Sequence, residues 1–279
     1  LGRSLLEVMF SDEAALLDTR YTQPALYALE MGLAALWRSW GIEPGAVLGH
    51  SVGEYGAAAV AGVFSLEDGL RLITERGRLM GGLPAGGAML AVLTDAETVA
   101  GEVERYAGRV SLAAMNGPAN TVIAGEGAAV RELGEAFAAK GIQVRPLNVS
   151  HAFHSPLMDP ILNDFERAAG AIRFGEPQIA LISNVTGAYA SRDQLADRRY
   201  WRRHVRQPVR FAESIRALHQ DGYRVFVEVG PKPTLLAMAR PSVPADDGES
   251  IWVPSLREGR DDWQHLLEGL ARLYVNGVS

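Results

Sequence analysis

The 279-residue chain contains no cysteine. This excludes a disulfide scaffold, a thiolate metal site and a cysteine nucleophile. It has no apolar run near the ~18 residues of a membrane-spanning helix, and no secretory leader is visible. Charged residues are sparse, 22% against 48% hydrophobic, so a sizeable core is expected. Neither sign of charge is concentrated. The net charge is -6 with Lys and Arg scattered, which offers no broad nucleic-acid surface. Internal repeats and low-complexity tracts are missing too. These absences predict a cytoplasmic protein that binds neither membrane nor nucleic acid, built as one large domain or a large one with an insert. The chain starts at Leu1 rather than Met, already in a helical pattern, and stops at Val278-Ser279. It reads as a piece of a longer polypeptide.

What is present is glycine in a particular place. Gly49-His50-Ser51-Val52-Gly53 follows the apolar run Ala46–Leu48 and precedes a helix-like stretch, Glu54 to Val60. This is a G-x-S-x-G turn between strand and helix. Such a turn lifts the serine hydroxyl toward an acyl carbonyl, while the Val52 amide at the helix start faces the oxyanion that forms.

The surrounding pattern alternates. Thr22 reads as the cap of a helix from Gln23 to Trp40, with Leu26, Leu29, Leu33 and Leu36 on one face. Ser65 and Asp68 form a capping box, and Gly81-Gly82 end that helix. From 87 to 150 the order is βαββαβ: strand 88–93, helix 95–106, strands 110–116 and 120–126, helix 128–140, strand 142–149. That is the order of a ferredoxin-like α+β subdomain. The larger pattern then resumes. Helix is expected within 156–171 and over 200–219 with a break at Gln207-Pro208. Strands are expected at 179–184, 225–229 and 251–256, with a Pro- and Asp-rich loop at 241–249 and a last helix at 261–274. The expected fold is α/β: a hydrolase-like three-layer core around one parallel sheet. Residues 1–86 and 151–240 form this large subdomain, and 87–150 the small one.

A nucleophilic serine needs a base, and the chain has six histidines. His50 adjoins Ser51 and points another way. His219 and His265 read as solvated, and His204 as a surface or subdomain contact. His151 and His154 remain, where the small subdomain hands back to the large one, a default cleft position. No nearby Cys or carboxylate completes a metal set with them. The group orienting the base is either an acid, Asp159 or Asp164, or a backbone carbonyl. Both acids read better as solvent-facing. Arg76 shares a helix face with Leu72, Ile73, Leu79 and Met80, whereas Arg71 and Arg78 lie opposite. A semi-buried arginine needs an anion. Either a structural ion pair or a substrate carboxylate held by two parallel hydrogen bonds supplies one.

Three runs now combine: Gly49-His50-Ser51-Val52-Gly53-Glu54, Arg76-Gly77-Arg78-Leu79-Met80 and His151-Ala152-Phe153-His154-Ser155-Pro156-Leu157-Met158. Together they resemble the acyltransferase domain of a modular polyketide synthase, of the malonyl type. Residues 241–279, with Val253-Pro254-Ser255-Leu256-Arg257 and Asp261-Asp262-Trp263, resemble the linker that follows such domains. The resemblance implies that Ser51 is acylated by malonyl-coenzyme A and deacylated by the phosphopantetheine thiol of an acyl carrier protein. It implies His154 as base, oriented by a backbone carbonyl, and Arg76 as the binder of the malonyl carboxylate. Gln23 and Asn116 match polar pocket positions. His151, Phe153 and Val52 match selectivity positions: Phe153 stands where methylmalonyl-type members carry serine, so its ring crowds an α-methyl branch. One methyl is worth only ~1–3 kcal/mol in such a pocket, a preference of ~10–200-fold. No bound cofactor is implied, and a ketosynthase is the implied neighbour. The family's Gly-Gln-Gly segment, whose glutamine amide gives a second oxyanion donor, has no counterpart in residues 1–279. The competing readings are a serine hydrolase, a transferase for methylmalonyl or another unit, and a non-catalytic docking module. Arg76 speaks against the first, and the intact Ser51 and His154 against the last.

Overall fold

The computed structural model describes residues 1–244 and 250–278. Two short helices, α1 (Leu5–Ser11) and α2 (Glu13–Leu16), lead into the long α3 (Thr19–Ser39). This helix starts earlier than its pattern suggests. Asp18 is the cap, accepting from the Arg20 amide, while Thr22 turns its hydroxyl back to the Asp18 carbonyl at 3.0 Å. Its most buried face carries Gln23, Tyr27, Leu33 and Trp37; Leu26, Leu29 and Leu36 are only half-buried. The aromatic rings decide the rotation, because each also has a polar tip to satisfy. Tyr27 donates to the Leu66 carbonyl at 3.0 Å, and Trp37 to Ser255 Oγ at 2.8 Å.

Strand β1 (Ala46–Leu48) runs into the serine turn and α4 (Gly53–Ala61). Then comes α5 (Leu66–Gly81), where Ser65 Oγ accepts from the Asp68 amide. Helices α3 and α5 pack so closely that a Cβ on Gly77 would fall 2.9 Å from the Thr19 carbonyl oxygen. This contact brings Gln23 and Arg76 face to face.

Residues 87–146 build a separate antiparallel sheet. Its elements are β2 (Gly87–Val92), α6 (Ala96–Val103), β3 (Val110–Gly117), β4 (Asn120–Glu126), α7 (Gly127–Ala139) and β5 (Val144–Pro146), with strand order β3-β4-β2-β5. Both helices cover one face, burying Val99, Val103, Leu133 and Phe137 over Leu90, Val92 and Ile123. The expected last strand, 142–149, shrinks to three residues; Pro146 has no N–H to continue the ladder. The opposite face is lined by small residues, including Ala91, Ala114 and Ala124, and packs on Phe211 and Ile215. Strand β3 is also stitched to the other part of the chain: Met115 N donates to Val209 O at 2.8 Å, and Val209 N to Ala113 O at 2.9 Å.

The remaining elements are α8 (Leu162–Ala169), β6 (Ala180–Ile182), α9 (Arg192–Ala196), α10 (Arg198–Arg206), α11 (Phe211–Gln220), β7 (Val225–Glu228), α12 (Thr234–Ala239), β8 (Ile251–Pro254) and α13 (Asp262–Val275). The break at Gln207-Pro208 separates α10 from α11. A 3-10 turn at Pro156–Ile161 precedes α8 in the segment 156–171, within which a helix is expected. Strand β8 and α13 are integral to the body: Val253, Leu266 and Leu273 bury against Leu33 and Trp37. Part of the Pro- and Asp-rich loop, 245–249, lies outside the described residues.

The single parallel sheet expected from the sequence is divided. Among the described residues β1 pairs only with β6, and β7 only with β8, each in parallel. Between the free edges of β1 and β7 lies a cavity of about 600 Å³, lined by Met31, Ala34, Val47, Val227 and Trp252 and by the carboxyl of Glu30. Tyr223 spans one end of it, donating to Gly45 O at 3.1 Å. No helix among the described residues is long and apolar enough to cross a membrane.

Candidate active site

Ser51 sits between β1 and α4 with φ +51°, in the left-handed region. A non-glycine residue there costs about 1–3 kcal/mol and persists only when its surroundings enforce it. The turn closes on itself through Gly53 N to His50 O at 3.1 Å and Glu54 N to Ser51 O at 3.0 Å. Its two glycines are not equivalent. A Cβ on Gly49 would fall 2.1 Å from the Gly53 carbonyl carbon, whereas one on Gly53 would meet nothing closer than 3.8 Å. Only Gly49 is required by close approach. Val52 is the N-cap of α4, and among the described residues its N–H has no acceptor. It is a free donor beside the hydroxyl, as an oxyanion requires.

His154 also has a left-handed backbone, φ +57°. Its Nε2 lies 2.7 Å from Ser51 Oγ, and its Nδ1 lies 2.8 Å from the carbonyl oxygen of Gln207. A carbonyl only accepts, so Nδ1 carries the proton and Nε2 presents its lone pair to the serine. Burial, then the positive charge of Arg76 and the neighbouring His204 and His50, hold the His154 pKa well below 6.5. The ring is therefore neutral at pH 7, ready to accept a proton. The carbonyl occurs where it does because Gln207 caps the end of α10 and the following Pro208-Val209 turns away to pair with β3. Neither acid near in sequence reaches the ring. Asp159 pairs with Arg206 and Asp164 with Arg167, both half-exposed.

Arg76 projects from α5 into the same spot and is 2% exposed. Its Nη2 donates to Ser51 Oγ at 3.1 Å and its Nη1 to Gln23 Oε1 at 2.7 Å. Nε has no partner, and no carboxylate among the described residues lies within ion-pair distance. The guanidinium is centred 5.6 Å from the Tyr55 ring. Burial lowers its pKa below the ordinary arginine value. A structural ion pair is thus not what the described residues supply: the cation is buried, aimed at the nucleophile and short of an anion. Gln23 is itself held by Thr19 Oγ1, to which its Nε2 donates at 2.7 Å.

A family model of acyl transferase domains matches residues 1–279. The chain belongs to the acyl transferase domain family. It is 46% identical over 278 residues to the phenolphthiocerol synthesis polyketide synthase type I Pks15/1 of Mycobacterium marinum, a match covering 99% of this chain and 13% of that protein. The chain spans only about an eighth of that synthase. Among solved structures, the acyltransferase domain from the second module of the salinomycin polyketide synthase superposes with TM-score 0.96 and 43% identity, covering 100% of this chain and 65% of that one. A malonyl-transacylase solved in complex with its type II polyketide synthase acyl-carrier protein gives TM-score 0.86 at 30% identity, covering 97% and 87%.

Within this acyltransferase domain, Ser51, His154, Arg76 and Gln23 meet at one point. The other candidate positions surround it. Phe153 is half-buried against the core cluster that holds Met80 and Met158. His151, also half-buried, has Nε2 3.3 Å from Leu83 O and its ring centred 6.1 Å from that of Phe153. Asn116 has no hydrogen bond to Ser51 among the described residues; its Oδ1 lies 2.8 Å from His50 Nε2. His50 packs on Phe211. Three histidines differ from their expected settings. His204 is 1% exposed and lies under the site, 3.5 Å from Glu54. It sits on the inner face of α10 with Tyr200 and Trp201, a face hidden in the sequence by the arginines around it. His219 and His265 are half-buried rather than solvated. No group of three or more His, Asp or Glu among the described residues is arranged to hold a metal ion.

Two groups at the site escaped the sequence reading. The Gln207 carbonyl leaves no side-chain signature, and only the Gln207-Pro208 helix break marks the place. Asn184 follows the apolar run 179–182, yet its side chain bridges both sides of the nucleophile turn.

Proposed function

We propose that this acyltransferase domain moves a malonyl unit from coenzyme A to the phosphopantetheine thiol of an acyl carrier protein through a Ser51 ester. The buried guanidinium of Arg76, 3.1 Å from Ser51 Oγ with no carboxylate partner among the described residues, is the observation that carries this reading. An acyl group bearing its own carboxylate supplies the missing anion. As Ser51 Oγ attacks the thioester carbonyl, its proton passes to His154 Nε2. The carbonyl oxygen becomes an oxyanion facing the Val52 N–H. Collapse expels the coenzyme A thiolate, which takes the proton from His154. The carrier thiol then gives its proton to His154 and attacks the ester, and Ser51 recovers its proton as it leaves, a ping-pong course. Removing one oxyanion donor typically lowers the rate ~10²–10³-fold, so the second donor implied for the Gly-Gln-Gly segment matters to full activity.

The finer architecture belongs to the same proposal. The all-antiparallel order β3-β4-β2-β5 supports a ferredoxin-like subdomain at 87–150, set in a hydrolase-like core of 1–86 and 151–240. Residues 241–279 are the region that leads to the next part of a cytoplasmic synthase, whose ketosynthase is the neighbouring partner. Phe153, with His151 and Val52, favours malonyl over methylmalonyl.

Incubation with malonyl- and methylmalonyl-coenzyme A, followed by intact mass measurement, tests the reading. We expect a malonyl adduct on Ser51, none in Ser51→Ala, and less methylmalonyl adduct. In Arg76→Ala, malonyl transfer falls and acetyl transfer is retained. Equal loss of both donors in Arg76→Ala would instead make the arginine a structural element. No adduct from any donor, in a chain carrying the upstream segment, would remove the transferase reading.

A further inference from the structure

The strained nucleophile turn closes through Gly53 N to His50 O and Glu54 N to Ser51 O, but neither bond engages the Gly49 carbonyl or the Ser51 N–H. We infer that Asn184 is a positioning residue that clamps the turn, resting on the reading of Ser51 as nucleophile. The Asn184 Oδ1 accepts from the Ser51 N–H at 2.7 Å, and its Nδ2 donates to the Gly49 carbonyl at 2.7 Å. One planar amide therefore ties the residue before the turn to its apex, and a carboxamide is the smallest side chain offering acceptor and donor side by side. The clamp also sorts the donors of the site. The Ser51 N–H is consumed, while the Val52 N–H at the helix start has no acceptor among the described residues.

Asn184 is itself fixed from behind. Its amide N donates to Glu54 Oε2 at 2.7 Å, and its carbonyl accepts from Arg210 N at 2.9 Å. Glu54 is fully buried at the start of α4, so it moves with the turn. Its other oxygen accepts from the Tyr200 hydroxyl, which also lies 2.8 Å from Ser183 Oγ. His204 approaches the same carboxylate at 3.5 Å. The network thus joins α4, the loop after β6 and α10, the helix whose C-cap carbonyl orients His154. Nucleophile and base are referenced to one buried framework.

The test uses a fluorophosphonate, which labels an activated serine whatever its natural acyl group. Asn184→Ala and the isosteric Asn184→Asp, which keeps an acceptor for Ser51 but loses the donor to Gly49, are labelled at saturating reagent. We expect the limiting rate to fall about 10- to 100-fold, the range expected when a strained, pre-organised geometry is released, with reagent affinity unchanged. Unaltered labelling of folded Asn184→Ala and Asn184→Asp overturns the clamp. Amide exchange in the unaltered protein gives a second measurement that needs no variant: Ser51 N–H should exchange about 100-fold more slowly than Val52 N–H. Equal exchange overturns the inference. If the unaltered protein resists the probe, the nucleophile reading fails, and the exchange comparison still decides the clamp.

Discussion

Ser51 and His154 are the non-glycine residues with left-handed backbones among those described, and they touch each other. Strain at both partners of one hydrogen bond means that the fold, not local preference, sets their distance. The environment that positions His154 also tunes it. Burial and the Arg76 charge both disfavour the imidazolium, so the pKa lies well below 6.5. The acidic limb of kcat/KM is therefore expected below pH 6.5, with a flat profile from there to neutrality. Measured with p-nitrophenyl acetate, which does not call on Arg76, the limb should move to higher pH in Arg76→Ala, because removing a neighbouring cation favours protonation. A limb at or above pH 6.5 in the unaltered protein would contradict this environment. These residues were legible for unequal reasons. Ser51 announces itself through turn chemistry, and Arg76 through its place on an apolar helix face. Asn184 and the Gln207 carbonyl act across the fold, where no spacing in the chain records them.

At the scale of elements, the glycines of two helices separate packing from propensity. Gly77 faces the Thr19 carbonyl across the α3–α5 contact, with room of only 2.9 Å for a Cβ, whereas Gly101 in α6 has nothing within 4 Å. Alanine is the better helix former at both positions by about 0.5–1 kcal/mol. Gly101→Ala should therefore raise the thermal midpoint. Gly77→Ala should lower it, with a net loss of about 1–3 kcal/mol as α3 is pushed away. It should also reduce malonyl transfer, since Gln23 and Arg76 meet across the same helix pair. Thermal unfolding of the two variants side by side checks the sign. The same balance explains what the sequence revealed about elements. Local devices were readable: the Ser65 cap, the Gly81-Gly82 end, the βαββαβ order and the Gln207-Pro208 break. The start of α3 was not, since Asp18 and Thr22 are both acceptable caps and tertiary contacts with α5 choose between them. Nor was strand partnership. Ala46–Leu48 and Val225–Val227 are apolar on both faces, a pattern that marks a buried parallel strand without saying what pairs with it.

At the scale of the whole molecule, the cavity between β1 and β7 carries a titrating group. Glu30 reaches its wall from α3, beside Gly53 and Gly56. Burial raises its carboxyl pKa from 4.5 to about 8. With a raised folded-state pKa, the native protein holds the Glu30 proton over a range where the unfolded chain has released it. This contribution to stability is full below pH ~4.5 and is lost as pH rises through about 8. The carboxyl is half-buried by surface area and borders open space, so only part of the shift is expected as stability, about 1–3 kcal/mol between pH 5 and pH 8. Glu30→Gln keeps the shape and removes the ionisation. It should match the parent at pH 5, where Glu30 is protonated in the native state, and unfold at a higher temperature or denaturant concentration at pH 8. Denaturant titrations of both proteins at the two pH values give the comparison directly. Equal gains at both pH values would assign the effect to packing, and no gain at pH 8 would mean that the carboxyl is solvated as freely as one on the surface.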